Sequence, residues 1–262
     1  MTSSSRWTRR KARWYARAVE AGDYVRAVVD ALAPLLEGIR SVIDVGAGTG
    51  ALSRELFDRG LSVTAVEPSP AMGEELHRHM GERTRSDRFR FVAEGWDGLD
   101  LPRHDLLLLA HVPGGITRER DFLVKASGLA RRIALVRNAG PWNKFFYDEL
   151  YPLILGRPWK PRGDYIDDLA ALHEAGVYAD VKLFSFTLDQ PFDDFADALG
   201  FWTDRLDAEG KEDLLEAFLR QRLEPEGRGY IARFGRRRSA LLWWDTDVPP
   251  EKTLRPGRRE GR

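Results

Sequence analysis

Residues 42–50 read Val-Ile-Asp-Val-Gly-Ala-Gly-Thr-Gly, and this stretch restricts the possible folds more than any other part of the chain. The apolar run Ser41–Val45 has the length and β-branched content of a strand buried in a parallel sheet. A turn containing Gly46, Gly48 and Gly50 follows, where glycine permits positive φ and lets the backbone approach a ligand closely. Ala51–Phe57 then reads as a helix, and Leu61–Val66 as a second strand ending on Glu67, 17 residues after Gly50. Strand, glycine turn, helix and strand together predict an open α/β sheet. Ligands of such sheets bind outside the C-terminal strand ends, where an acid on the second strand can hold both hydroxyls of a ribose. A plain tight turn would leave Asp44, three glycines and Glu67 all incidental.

Two nucleotide cofactors compete for this loop. Gly46, Gly48 and Ala51 satisfy the relaxed dinucleotide fingerprint. Asp44, two residues before the first glycine, and the G-x-G-x-G spacing completed by Gly50 favour a smaller, cationic ligand instead. S-adenosylmethionine has no pyrophosphate to place on a helix N-terminus. It carries an ammonium and a sulfonium, and a carboxylate beside the loop favours both.

Over about residues 40–137 the chain resembles the class I S-adenosylmethionine-dependent methyltransferases. Val42–Gly50 is similar to their first motif and Ala65-Val66-Glu67-Pro68-Ser69 to the second. Phe89–Ala93 matches the third strand, followed by the loop Glu94-Gly95-Trp96-Asp97, where many relatives carry Gly-Asp-Ala before the acid. His104–His111 is similar to the fourth motif, and Arg132–Arg137 to the fifth strand. The resemblance implies a doubly wound seven-stranded Rossmann-like sheet, mostly parallel with an antiparallel last strand, preceded by N-terminal helices and carrying a helical insertion after strand five. It also implies that Asp44 and the backbone of Gly46, Ala47, Gly48 and Gly50 hold the methionine end, with Ala110 closing that side. Glu67 would take the ribose, Asp97 the adenine amino group, and Trp96 would cover the ring. On its own residues, Trp96 reads equally as a core aromatic and Asp97 as a turn residue. Asp164–Val181 further resembles a bacterial and archaeal subgroup that joins a tryptophan–acid loop to a histidine or serine after the fourth strand.

The implied reaction is methyl transfer from S-adenosylmethionine, leaving S-adenosylhomocysteine. His111 directly follows the Leu106–Ala110 strand at the ligand edge, so it is the candidate general base, since imidazole titrates near neutral pH. Its alternative is a capping hydrogen bond to backbone. The expected organisation is a helical lid over residues 1–40, a methyltransferase domain over 41–245 and a flexible basic tail over 246–262. Within the domain, residues 138–175 hold aromatics, prolines and arginines. Trp142 and Tyr147 there are candidates to wall a substrate pocket, and Arg157 and Arg162 to hold an anion. A single amphipathic helix over Asn143–Leu155, closing the fold on its own core, accounts for the same pattern.

Lysine and arginine number 41, as do aspartate and glutamate, so net charge gives no support for a nucleic-acid or membrane partner. Small-molecule acceptors are therefore favoured, with RNA or protein methylation, or silent cofactor binding, as alternatives. The arginines within Arg6–Arg17 read either as an anion-binding surface or as solvated helix faces. Cysteine is absent, which removes disulfides, thiolate metal sites and cysteine nucleophiles. The 5 histidines show no metal spacing, so no metal is expected. Without an apolar leader or a run of membrane-spanning length, a cytoplasmic location is expected. Trp7, Trp14, Tyr15 and Val19 recur at helical spacing, as do Tyr24, Val28 and Leu32 after an Asp23 N-cap. Trp14 and Tyr15 are candidates for cofactor or substrate contact. Helices are expected over Phe192–Trp202 and Lys211–Leu223, and a last strand over Ser239–Trp244.

Overall fold

The computed structural model describes residues 7–112, 121–140, 144–160 and 163–247. Two helices come first, α1 (Arg9–Ala21) and α2 (Tyr24–Leu32). The glycine turn then joins β1 (Ser41–Val45) to α3 (Ala51–Asp58), followed by β2 (Ser62–Val66), α4 (Pro70–Met80) and β3 (Phe89–Val92). Next come β4 (His104–Ala110), α5 (Phe122–Leu129), β5 (Ala130–Asn138), the single turn α6 (Tyr147–Leu150) and α7 (Tyr165–Glu174). The chain continues through β6 (Asp180–Thr187), β7 (Gln190–Phe192), α8 (Phe195–Leu206) and α9 (Glu212–Leu219). It ends in β8 (Leu223–Glu226), β9 (Gly229–Ala232) and β10 (Arg236–Asp245).

Seven strands form the main sheet in the order β3-β2-β1-β4-β5-β10-β6, with β10 antiparallel to both neighbours and β1 to β5 parallel. The seven-stranded, mostly parallel sheet expected from the sequence is what forms. Its order reverses between β1 and β4, which opens a crevice at their C-terminal ends. The unbroken apolar run of β4 follows from burial on both faces. Leu106 and Leu108 pack with α2, α3 and α4, while Leu107 and Leu109 pack with α5 and α7. Each such leucine contributes roughly 1.5–3 kcal/mol. At the opposite end of the strands, Asp105 Oδ2 accepts from the Arg40 and Ser41 amides at 2.8 and 3.0 Å. Those bonds and the Arg131 guanidinium hold its carboxyl below its ordinary value, against the opposing effect of burial.

Three elements depart from the sequence expectation. Asp23 precedes α2 but makes no side-chain cap; its Oδ1 instead accepts from the Thr187 amide at 2.5 Å and tethers α2 to β6. The single helix expected over Asn143–Leu155 is broken where it is described. Phe145 and Phe146 both take left-handed backbone (φ 56° and 58°), and α6 gives way to a wider turn over Tyr151–Leu155. Bulky residues hold that conformation only where surrounding packing enforces it. Here the Phe145 carbonyl accepts from Trp202 Nε1 at 2.9 Å, and Phe146 stacks on the Trp202 ring at 5.7 Å. Thirdly, the helices expected over 192–202 and 211–223 are shifted or shortened, because their flanks join a small antiparallel sheet, β7-β9-β8. That sheet, α8, α9 and the 145–155 segment enclose a third core around Phe201, Trp202 and Leu215.

Candidate functional site

The glycine turn is built as a cradle. Gly46, Gly48 and Gly50 have φ of 69°, 57° and 77°. The Gly46 and Ala47 amides donate to the Val66 carbonyl at 2.8 and 3.0 Å, which ties the turn to the end of β2. A Cβ added at Gly46 would lie 2.9 Å from Val112 Cγ2, so the bare backbone is required there. Glu67 locks the same corner: Oε2 accepts from the Gly48 amide at 2.9 Å and Oε1 from the Ser69 amide at 2.8 Å.

Asp44 stands at the end of β1, buried, and its Oδ2 accepts from Ser53 Oγ at 2.6 Å. Burial pushes its carboxyl up to about 6, the Ser53 bond opposes this, and the Glu67 charge adds to it. Glu67 is raised too, by burial against the pull of its two amide donors. A small, partly open recess of about 30 Å³ lies beside them, lined by Asp44, the Gly46–Thr49 turn, Ala110 and, from α1 and α2, Tyr15, Val19 and Tyr24. Burial, then the Asp44 and Glu67 charges, push the Tyr15 hydroxyl up to about 12. Asp44 lines the recess and the Glu67 charge adjoins it, so two acids, each made harder to ionise, stand close together there. A cationic ligand relieves that crowding, so these residues fit a sulfonium-bearing amino acid and not a pyrophosphate.

Helix α1 closes the recess and is clamped on both sides. Arg9 makes a two-pronged ion pair with Glu74 at 2.8 and 2.7 Å, and Lys11 pairs with Asp204 at 3.0 Å. Arg17 reaches Asp193 and Asp197 at 2.8 and 3.3 Å. These contacts assign Arg9, Lys11 and Arg17 to holding α1 in place. His79 joins α1 to the cradle: Nδ1 lies 2.7 Å from the Thr49 carbonyl and Nε2 contacts Glu20 of α1. Nothing in the local sequence distinguished this histidine, since both partners come from other elements.

The remaining candidates distribute as follows. Tyr15 lines the recess, whereas Trp14 turns away, donates to Asp197 at 2.9 Å and packs on Phe201. His111 is left-handed (φ 52°), a strained conformation for a histidine at the strand end. Its amide donates to the Val136 carbonyl, its Nε2 lies 3.4 Å from Ser239 Oγ, and its ring is 5.6 Å from Tyr24. Trp96 and Asp97 follow β3 on the same sheet edge but stand outside the recess lining. The Trp96 ring lies 5.4 Å from Phe122, and Lys125 Nζ donates to the Asp97 carbonyl at 2.9 Å. Tyr147 is buried in the third core, 5.6 Å from Phe145, and Arg157 lies over the Tyr151 ring at 5.5 Å. Trp142 and Arg162 lie outside the described residues, as does the tail beyond Asp247. Thr246 and Asp247, which begin that tail, are bonded to Arg103. Among the described residues no three histidine, aspartate or glutamate side chains converge as a metal site, and no helix is long and apolar enough to cross a membrane.

A family model described as a methyltransferase domain matches residues 42–119, which include the cradle, Glu67 and His111. That stretch, under a third of the chain, carries the likeness to a methyltransferase domain. The chain is 40% identical over 65 residues to ribosomal RNA small subunit methyltransferase A of Mycobacterium tuberculosis, covering 25% of this chain and 20% of that one. Its likeness to the Mycobacterium avium protein of the same name is 33% over 93 residues, or 36% and 28% of the two chains. The chain thus spans about a fifth to a quarter of the length of these relatives. Among solved structures, magnesium protoporphyrin IX methyltransferase from Synechocystis PCC 6803 is 15% identical with a TM-score of 0.47, covering 84% of this chain and 82% of that one.

Proposed function

We propose that this methyltransferase moves the sulfonium methyl of S-adenosylmethionine to a nucleophile on a small-molecule acceptor. The observation that carries this reading is the recess where Asp44 and the glycine turn meet beneath Tyr15, with Glu67 locked to Gly48. In the proposal, Asp44 and the turn amides hold the amino-acid end, and Glu67 exchanges its bonds to backbone for the ribose hydroxyls. The base extends along the sheet edge toward Trp96 and Asp97. The cofactor, when bound, supplies an electrophilic methyl group, and the chain contributes alignment and exclusion of water under α1.

His111 is proposed as the base for an acceptor hydroxyl. It follows Ala110, which lines the recess, and its Nε2 is oriented toward Ser239 on β10. The mycobacterial relatives are named for ribosomal RNA, which raises an RNA acceptor as a second reading. Against it stands the pairing of Arg9, Lys11 and Arg17 with acids of this chain, which offsets part of the basic surface that the N-terminal sequence suggested.

The test uses S-adenosylmethionine carrying a labelled methyl, incubated with the full chain and a cell extract, then separated into small molecules, RNA and protein. Label is expected in the small-molecule fraction, and His111→Ala is expected to cut its rate of appearance about a hundredfold while leaving cofactor affinity within about threefold. Label confined to RNA overturns the small-molecule reading. Unchanged turnover in His111→Ala on a hydroxyl acceptor removes the base role.

A further inference from the structure

Helix α4 lies directly behind the glycine turn. A Cβ added at Gly50 would fall 2.7 Å from Leu76 Cγ, and the buried His79 follows on the same helix. Its Nδ1 lies 2.7 Å from the Thr49 carbonyl. A carbonyl oxygen only accepts, so Nδ1 carries the hydrogen and donates. The opposite ring nitrogen, Nε2, meets Glu20 of α1 and lies 2.8 Å from Arg78 Nη2. Glu20 and Arg78 pair with each other at 3.6 Å, so both grip the outer edge of the ring. The imidazole cannot turn about its Cβ–Cγ bond without losing contacts at both ends.

The bond to Thr49 acts on one peptide unit of the turn. In a planar trans peptide the C=O and N–H point to opposite sides. With the Thr49 carbonyl turned out to His79, the Gly50 amide points into the turn, where it donates to the Ala47 carbonyl at 2.9 Å. Turning this unit over changes only ψ of Thr49 and φ of Gly50. Gly50 sits at φ 77° and, as a glycine, takes the opposite sign as readily. Backbone sterics at Gly50 therefore do not choose the orientation; hydrogen bonds do. The turned-over unit would set its oxygen toward the Ala47 carbonyl, acceptor facing acceptor, and would take the Thr49 oxygen away from His79.

We propose that His79 is a positioning residue for cofactor binding: it clamps the Thr49–Gly50 peptide with its carbonyl directed at α4, and Glu20 holds the clamp from α1. Val19, next to Glu20, and Thr49 both line the recess, so one imidazole ties two of its walls together. The link to the cofactor rests on the methyl-transfer reading; the clamp itself does not.

The experiment is hydrogen exchange of the Gly50 amide in the full chain, followed by NMR beside the Leu107 and Leu108 amides of the central strand β4, which report global opening. Calorimetric titration with S-adenosylhomocysteine accompanies it. His79→Asn keeps a donor near the position of Nδ1 but leaves space in the packing. His79→Leu fills the space and removes the donor. Gly50 exchange relative to β4 is expected to stay within about threefold of the parent in His79→Asn and to rise about tenfold or more in His79→Leu. Affinity for S-adenosylhomocysteine is expected to fall in the same order. A residue that only fills space gives the reverse order, which overturns the proposal, as does equal Gly50 exchange in the two variants. Glu20→Ala, at a side chain 44% exposed, is expected to speed Gly50 exchange about threefold; if His79→Leu fails to fold, unchanged exchange in Glu20→Ala overturns the clamp. Faster Gly50 exchange in His79→Leu with unchanged affinity overturns the positioning role. Failure of the parent to bind S-adenosylhomocysteine, with Gly50 exchange in the expected order, is a different result and overturns the methyl-transfer reading instead.

Discussion

Beside the glycine turn the protein buries two carboxylates, Asp44 and Glu67, and in its third core two guanidiniums, the half-buried Arg205 and the buried Arg237, lie over aromatic rings. The acids are held by backbone amides and a serine hydroxyl, on a turn whose shape is set within about 30 residues of chain. The cations lie over aromatic rings drawn from three separate segments: Phe145, Phe201 of α8 and Phe234, with Trp202 of α8 bonded to the Phe145 carbonyl. Hydrogen bonds to amides fix a carboxylate closely while leaving it free to meet a cation. The contrast is between a short, locally encoded turn and a core assembled from distant parts of the chain.

The largest expected effect separates these halves. Trp202 is fully buried, and Trp202→Ala removes both its packing and the donor to the Phe145 carbonyl. A stability loss of about 3–5 kcal/mol is expected in chemical denaturation, with S-adenosylhomocysteine affinity, measured well below the midpoint, within about twofold of the parent. If cofactor affinity collapses with the third core, the two halves are a single unit and the comparison fails.

A smaller, graded effect follows from Asp44. Its folded carboxyl titrates at about 6 against an ordinary 3.8, so between those values the folded chain holds a proton that the unfolded chain has lost. Stability of the ligand-free protein therefore falls as pH rises through that window, and Asp44→Asn removes the fall. Binding of S-adenosylmethionine shows the reverse trend, because the cation favours the ionised acid. Affinity is expected to drop about tenfold per pH unit below about 6 and to level off above it. Calorimetry at a series of pH values checks both; a flat profile means that Asp44 does not meet the cation.

The smallest effect concerns Asp97. A single bond to the adenine amino group contributes roughly 0.5–1.5 kcal/mol, so Asp97→Ala should weaken S-adenosylhomocysteine binding about twofold to tenfold. No change would leave Asp97 as the turn residue that its contact with Lys125 already makes it.

The same contrast explains how much of the molecule was legible in its sequence. β1 and β2 fall within a residue of where pattern placed them and β4 within two, because burial on both faces writes a continuous apolar run. Asp44, the glycines and Glu67 were legible for a similar reason: their partners are sequence neighbours. The β7-β9-β8 sheet was not, since Gln190 pairs with Ala232 across 42 residues and a short strand leaves little periodicity to read. Asp23 looked like a helix cap and is a tether to Thr187, 164 residues away. Ser239 beside His111, and Arg237 beside Arg205, are contacts that only the assembled sheet creates.

The most direct measurement of the central claim is calorimetric titration of the full chain with S-adenosylmethionine, S-adenosylhomocysteine and NADH, repeated on Glu67→Ala and Glu67→Gln. The account predicts binding of the first two, weakened roughly tenfold or more in both variants as charge-assisted bonds to the ribose are lost, and no binding of NADH. Preferential binding of NADH, or an affinity for S-adenosylmethionine that survives both substitutions, would contradict it.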